Sequence, residues 1–376
     1  MKVWKWLSFT VSSLLILGAC APVEQPQQTA SSSTTSAKVG WELEWEKTVA
    51  AARQEGTVVI SGPTRETWRN VLVTFEEDFP EIKVEYTGAN SRDFWPRIFR
   101  ERELDQHLWD LRVGGPDPQV YEAKSRGVLD PVRPLLLLPE VVDGDVWFGG
   151  LDGAFFDKEK KYVLGFVNFI SFLAYVNRDL IPETELTSVK DLTHPRWRGK
   201  IVIQDPRGGA GLNSLQVLLM LHGEDAVKQL LGNQDLVVAN DTRQQAEWVI
   251  RGRYPIAIGL VPDAFLVFRE QGLSFNLQPI KDSGKGASTG TGGIQFFNRA
   301  PQPNAAKVYI NWLLTKDVQT RLSAATKQNS RRLDVPAADP EAVPDPARMD
   351  QYIPTQKEEL LPVRHRAQQL AMDFLR

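Results

Sequence analysis

Near its N-terminal end the chain reads Thr57-Val58-Val59-Ile60-Ser61-Gly62-Pro63-Thr64, which is an apolar, β-rich run followed by a loop of small residues. Apolar residues at helical spacing come next: Trp68, Val71, Leu72, Phe75 and Phe79. An alternating run then indicates a second strand: Ile82, Val84 and Tyr86. This order predicts a βαβ unit with parallel strands and a right-handed crossover.

Three later segments have the same form, with a short strand, a loop and a helix, and they begin near Leu111, Lys200 and Ile256. In open α/β sheets, ligands bind at the carboxyl ends of strands, where helix N-termini offer free N–H groups. The sequence therefore predicts the α/β fold class, with two lobes and four strand ends that form candidate walls of one site.

Two segments in the middle of the chain predict crossings between the lobes. Residues 162–177 are apolar and aromatic without a helical stripe, which indicates two strands broken near Asn168. Residues 284–293 are rich in glycine, which can absorb large changes in φ and ψ, so they predict the return crossing.

The first forty residues have the layout of a bacterial lipoprotein signal followed by a tether. Lys2 and Lys5 precede an apolar run, and small residues lead to Cys20, the only cysteine. Residues 21–40 are mostly Ser, Thr, Gln, Ala and Pro, a composition typical of flexible chain. We predict a signal peptide over 1–19, lipidation of Cys20 and a tether over 20–40; the alternative is a buried cysteine in an N-terminal helix.

Composition and motifs give no support to nucleic-acid binding or to enzyme chemistry. The net charge of −3 offers no basic surface for nucleic acid, and the four histidines lack metal-ligand spacing. Gly208 to Ser214 look like a dinucleotide fingerprint, but Ser214 stands where the third glycine belongs. A small anion or polar ligand on the free N–H groups is favoured there. No catalytic residue, cofactor or metal is predicted.

Several segments, taken in order, resemble one family. Residues 191–201 (DLTHPRWRGKI) are similar to the DL-x-x-P-x-W-x-G-K-I segment of the extracellular solute-binding proteins of ABC transporters, in the branch that includes ferric-ion, polyamine, thiamine and phosphonate binders. Three further segments complete the resemblance over about residues 56–335: 175–182 (YVNRDLIP), 252–257 (GRYPIA) and 305–313 (AAKVYINWL).

The resemblance implies a bilobal periplasmic-binding-protein fold of type II, in which two α/β lobes joined by crossing strands close over a ligand by hinge motion. We expect residues 41–167 and 285–330 in lobe 1, and residues 168–284 and 331–376 in lobe 2. The ligand contacts that it implies in lobe 1 are Ser61, Gly62, Pro63, Thr64, Gly115 and Pro116. Those implied opposite them are Asn168, Gly208, Gly209, Ala210, Gly211 and Asn213, with Asp263 and Arg331 as further candidates.

The resemblance also implies the function of a receptor for an ABC importer, which captures a small solute and delivers it to permease and ATPase subunits. It implies a monomer that is periplasmic or extracellular and held at the membrane by lipidated Cys20. Three alternatives stay open: a ferric-ion binder of the same family, a sensor that presents its ligand to a membrane kinase, and a surface-tethered enzyme.

We expect an organic anion rather than a bare ferric ion. Ferric binders of the family usually hold iron with paired tyrosines after the strand near Ile256. No tyrosine occurs here between Tyr254 and Tyr309, and phenylalanine lacks the oxygen that a hard cation needs. Asp263 is the residue that could still ligate a metal.

Overall fold

The computed structural model describes residues 40–375. The predicted signal peptide, Cys20 and all but the last residue of the tether lie outside the described residues. Among the helices of the described part, none combines the length and the apolar character needed to cross a membrane.

Strands and helices alternate along most of the chain, and the predicted α/β class is confirmed. The strands are β1 (Thr57–Gly62), β2 (Lys83–Gly88), β3 (Leu111–Val113), β4 (Leu129–Asp130), β5 (Leu164–Gly165), β6 (Val167–Phe172), β7 (Ala174–Asn177), β8 (Ile201–Gln204), β9 (Val237–Ala239), β10 (Ile256–Ile258), β11 (Leu277–Pro279), β12 (Lys285–Ser288), β13 (Gly293–Phe297), β14 (Asn329–Ser330) and β15 (Tyr352–Pro354). The helices are α1 (Gly40–Glu55), α2 (Glu66–Leu72), α3 (Phe75–Asp78), α4 (Ser91–Glu103), α5 (Pro118–Ser125), α6 (Pro139–Val142), α7 (Gly150–Ala154), α8 (Gly209–Asn233), α9 (Thr242–Ile250), α10 (Pro262–Glu270), α11 (Pro303–Leu313), α12 (Lys316–Thr326) and α13 (Leu361–Phe374).

The first sheet has the order β2-β1-β3-β13-β4, with β5 paired to β13. β1 and β2 are parallel over their whole length, from Thr57 opposite Lys83 to Gly62 opposite Gly88. The predicted strand, helix and parallel strand are therefore present, although the helical part is divided into α2 and α3. Helices α3 and α11 pack together through aromatic rings. The ring centroid of Phe75 lies 4.9 Å from that of Tyr309 and 5.2 Å from that of Trp312.

The second sheet has the order β11-β7-β10-β8-β9. β8 is parallel to both β9 and β10, and β7 runs antiparallel to β10 and β11. Helix α8 buries Leu212, Leu215 and Leu218 against this sheet, and α13 packs on α8 and adds to the same core. Each sheet thus carries its own apolar core, as a two-lobed fold requires.

A third sheet, β14-β6-β12-β15, holds the crossing strands. β6 and β12 are antiparallel, so the predicted return crossing is present. The run 162–177 breaks at Phe166, between β5 and β6 and two residues from Asn168, and it breaks again at Leu173, between β6 and β7. Asn168 itself pairs with Asn329 inside β6. A polar residue did not interrupt the strand here because its side chain is buried and lies against the Arg331 guanidinium.

The C-terminal part of the chain contacts elements of both lobes. The Phe148 amide donates to Arg331 O, and the Leu333 amide donates to Val146 O, so residues 331–333 lie against the first lobe. Helix α13 lies on α8 of the second lobe. The lobe boundaries themselves stay a prediction.

Candidate functional site

The loop after β1 is held in place by Tyr86 of β2. Tyr86 Oη donates to Pro63 O at 2.5 Å, and a Cβ at Gly62 would lie 2.4 Å from the same hydroxyl oxygen of Tyr86. Ser61 is fully buried, whereas Thr64 is exposed. The predicted residues Ser61 to Thr64 therefore span the last two residues of β1 and the start of its loop, at the carboxyl edge of the first sheet.

Arg112 in β3 lies directly beneath these loops and is only 3% exposed. Its Nη1 donates to Ser61 Oγ at 2.8 Å, and its Nη2 donates to Ser91 Oγ at 3.1 Å. The guanidinium carbon stacks 4.4 Å from the Phe94 ring centroid. A Cβ at Gly114 would lie 3.0 Å from Nε, so the group sits where the loops after three strands converge.

This guanidinium has no carboxylate partner among residues 40–375. Its hydrogen bonds go to neutral oxygens, and Nε is buried without one in that part of the chain. Burial lowers the pKa of Arg112 to about 10, against a smaller opposing effect of Asp117. A buried, unpaired charge is costly, and such groups concentrate at functional sites.

Gly115 and Pro116 form the loop after β3, where backbone meets backbone. A Cβ at Gly115 would lie 1.8 Å from Gly290 O in the return crossing. Gln356 fastens this crossing, since its Oε1 accepts from the Thr289 amide at 2.9 Å and its Nε2 donates to Gly290 O at 3.1 Å. The loop is thus held against the return crossing.

The start of α8, together with Gly208 before it, supplies predicted residues of the second lobe. Gly208 has extended backbone and precedes α8, Gly209 has φ +55°, and the Ala210 amide donates to Gln204 Oε1 at 3.1 Å. A Cβ at Gly211 would lie 2.0 Å from Gln204 O, so this glycine is required by packing within the lobe.

The Asn213 side chain is hydrogen-bonded to another side chain of the protein. Its Oδ1 accepts from Arg364 Nη1 at 2.6 Å, and Gln216 Oε1 accepts from the same nitrogen at 3.2 Å. Arg364 on α13 is itself buried, and burial lowers its pKa. The structure therefore places the Asn213 side chain against α13.

Asp263 in the first turn of α10 joins the two lobes. Its Oδ2 accepts from Arg65 Nη1 at 2.5 Å, and the side chains are 9% and 43% exposed respectively. Gln328 Nε2 reaches the same oxygen at 3.4 Å. Asn168 and Asp263 line one groove together with Gln328 and Asn329, so the structure brings these two predicted residues together.

Arg331 lies behind Asn168 rather than along this groove, and its Nη1 approaches Asn168 Oδ1 at 3.4 Å. Asp205, directly after β8, pairs with Arg207 at 2.8 Å, and the charge of Arg92 in α4 also acts on it. The hydrogen bond from Arg207 is the first cause that lowers the pKa of Asp205, and the charge of Arg92 adds to it.

The sequence alone did not predict roles for Arg65, Arg112, Gln328 and Gln356. Arg112 had a visible signal, because it is the only charged residue in the otherwise apolar strand Leu111-Arg112-Val113. Arg65 had none, since its partner Asp263 is 198 positions away.

We predict that the Arg65–Asp263 ion pair holds the lobes together in a salt-dependent way. An exposed pair is worth about 0.2–1 kcal/mol and is screened by salt. The radius of gyration from X-ray scattering should therefore rise with salt in the wild type and be larger but insensitive to salt in Arg65→Gln. Arg53→Gln is the matched control, because Arg53 pairs with Glu81 at 3.3 Å within the first lobe. Equal radii in wild type and Arg65→Gln would contradict the prediction.

Within the described residues, no group of three or more His, Cys, Asp or Glu is placed to hold a metal ion. The arrangement instead offers positive charge beneath converging loops and a groove bridged by one ion pair. This geometry suits capture of a small polar solute between lobes.

Comparison with known proteins agrees with that geometry. The family model of bacterial extracellular solute-binding proteins matches residues 70–350. The chain belongs to this family. It is thus an ABC-type solute-binding protein, as the resemblance implied.

Solved structures with the same fold cover 85% of this solute-binding protein. Iron-bound HitA from Pseudomonas aeruginosa superposes with a TM-score of 0.66 at 16% identity over 99% of its chain. The ferric binding protein from Campylobacter jejuni gives 0.65 at 18% over 99%, and Trichodesmium IdiA (FutA), in complex with iron and citrate, gives 0.62 at 16% over 99%. The predicted bilobal periplasmic-binding-protein fold is confirmed. An uncharacterized protein of Haemophilus influenzae is 24% identical over 245 residues, which cover 64% of this chain and 67% of that protein.

Proposed function

We propose that this solute-binding protein captures a small organic anion between its lobes and delivers it to an ABC permease. The contacts proposed in the first lobe are the segment Ser61 to Thr64 and the loop Gly115-Pro116. Those proposed opposite are Asn168, Asp263, and the segment Gly208 to Gly211 at the start of α8, with Asn213 further along this helix.

The observation that carries the proposal is the Arg112 guanidinium. It lies under the loops of three strands, and among residues 40–375 it donates only to neutral oxygens, so an anion above it would supply the missing negative charge. Charge-assisted hydrogen bonds and electrostatic attraction are strong in such a poorly solvated place. The N-terminal end of α8 in the opposite lobe also favours an anion through the helix dipole.

The polar character of the opposite lobe also supports an anion. Asp263 brings a carboxylate to the groove, but Arg65 neutralises it, and Gln328 donates to the same oxygen. Asp205 is likewise paired with an arginine, since Arg207 Nε lies 2.8 Å from its Oδ1. Both carboxylates are therefore paired, which reduces their repulsion of an anion.

A ferric ion is the second candidate, because the structural relatives are described as iron-bound or ferric binding proteins. The donor set argues against it here. Phe265 and Phe268 of α10 are buried apolar rings, and Asp263 is the carboxylate that the helix brings to the groove. Ferric ion prefers several hard oxygen ligands, which these side chains do not supply.

We predict that the protein, dialysed free of ligand, binds no iron from ferric citrate. Titration should give neither a charge-transfer absorption band nor stoichiometric iron retention after gel filtration. Tight binding of one iron per chain that is lost in Asp263→Ala would overturn the prediction and favour the ferric candidate. Asp282→Ala is a control, since the Asp282 carboxylate does not line the groove and accepts a hydrogen bond from Ser188 Oγ.

We also propose that lipidated Cys20 anchors the receptor at the outer face of the membrane. The signal layout of residues 1–20 and the extracellular role of the family support this anchor. Tethering would keep the receptor close to its permease and raise the effective concentration for docking.

A further inference from the structure

A second concentration of buried positive charge lies where Arg331 meets Lys357. Arg331 follows β14 and is 8% exposed. Its Nη2 donates to Gly153 O at 2.9 Å. Lys357 Nζ reaches the same carbonyl at 3.4 Å and donates to Phe155 O. Two cations therefore share one neutral acceptor.

In the described part of the chain, neither cation bonds to a carboxylate, and Arg331 Nε is buried without a partner. Burial lowers the pKa of Arg331 to about 10. Burial, followed by the charge of Arg331, lowers the pKa of Lys357 to about 8. The nearby Asp157 carboxylate accepts hydrogen bonds from the backbone amides of residues 161–163 instead. Like charges held together in a poorly solvated place are costly unless an anion joins them.

The surroundings of the pair are aromatic rings and glycines. The ring centroids of Phe148 and Phe156 each lie 5.5 Å from Arg331 Cζ. Cβ atoms at Gly149 and Gly153 would lie 4.0 and 3.9 Å from Nη2, so no side chain from these two residues covers the guanidinium. Lys357 is only half-buried, which leaves an approach from solvent.

We propose that Arg331 and Lys357 form a binding site for a small oxyanion, separate from the cleft site above Arg112. The unused Nε hydrogen of Arg331 and the third hydrogen of Lys357 are its donors. The ligand chemistry is that of phosphate, sulfate or a carboxylate, whose oxygens accept charge-assisted hydrogen bonds from guanidinium and ammonium groups.

The site has a structural consequence for the C-terminal segment. The next residue, Glu358, pairs with Lys124 of α5 at 2.7 Å. A bound oxyanion gives this segment a further attachment to the first lobe, while α13 holds it to the second lobe.

The test is thermal unfolding of the purified protein in sodium phosphate, compared with sodium chloride at equal ionic strength. Multivalent anions stabilise proteins generally without saturation, whereas a site gives a saturable rise in the unfolding temperature. We expect a saturable rise in the wild type, and separate titrations with sulfate and acetate identify which oxyanion shape is preferred. Lys357→Met should weaken the apparent phosphate affinity at least about tenfold.

Two further variants distinguish this site from the cleft site and from a general effect of removing a cation. Lys285→Met is the matched control, because Lys285 is a half-buried lysine that stacks on Tyr352 at 5.5 Å, and it should retain the saturable rise. Arg112→Met should retain it as well. No saturable rise in the wild type, an unchanged rise in Lys357→Met, or a rise lost in Arg112→Met would each overturn the proposal.

Discussion

Gly115→Ala is expected to destabilise the protein severely, because the new Cβ would lie 1.8 Å from Gly290 O. The return crossing cannot move aside easily, since Gln356 holds both Thr289 and Gly290 by hydrogen bonds. Overpacking against fixed backbone costs about 3 kcal/mol or more at the upper end of its usual range. Urea denaturation should show this loss as a lower midpoint.

The control for this variant is Gly208→Ala in the corresponding loop of the second lobe. A Cβ at Gly208 meets nothing within 4 Å, and its φ of −162° suits any residue. Its free energy of unfolding should change by no more than about 0.5 kcal/mol. If the two variants unfold at the same urea concentration, Gly115 does not lie as close to Gly290 O as described.

Arg112→Met is expected to abolish ligand capture while leaving the protein folded. The substitution removes a buried charge without stranding an acidic partner, and replacing buried ions by apolar groups of similar size is often neutral or stabilising. Affinity for the captured solute should fall at least about a hundredfold, because the anion would lose its buried charge partner. The amount of ligand retained through dialysis measures the loss of affinity, and the thermal unfolding temperature measures the stability of the fold.

Arg102→Met is the matched control for Arg112→Met. Arg102 is also a partly buried arginine of the first lobe, it donates to the Asn298 carbonyl at 2.9 Å, and burial lowers its pKa as well. It should keep the ligand. A loss of ligand in both variants would show that the effect is a general consequence of removing an arginine.

The repeating pattern of strands and helices was predictable because apolar periodicity is local. The run from Thr57 to Tyr86 gives β1, the helical turns and β2, and the glycine-rich stretch gives the return crossing at β12. The exact position of the break near Asn168 was not predictable, because the burial of this residue and its contact to Arg331 depend on residues far away in sequence.

The site was predictable only in part, for the same reason. Loops at strand ends follow from the fold class, so Ser61 to Thr64 and Gly115 could be named. The bond between Arg112 and Ser61 joins residues 51 positions apart, and the Arg65–Asp263 bridge spans 198 positions. Gly211 carried a visible signal, but only the structure shows that it packs against Gln204.

Native mass spectrometry of the protein purified from its own host tests most directly whether Arg112 holds an organic anion between the lobes. We expect one small organic anion bound per chain in the wild type and in Arg102→Met, and an unliganded mass in Arg112→Met. A mass increase equal to iron, or an organic ligand that remains bound in Arg112→Met, would contradict this claim.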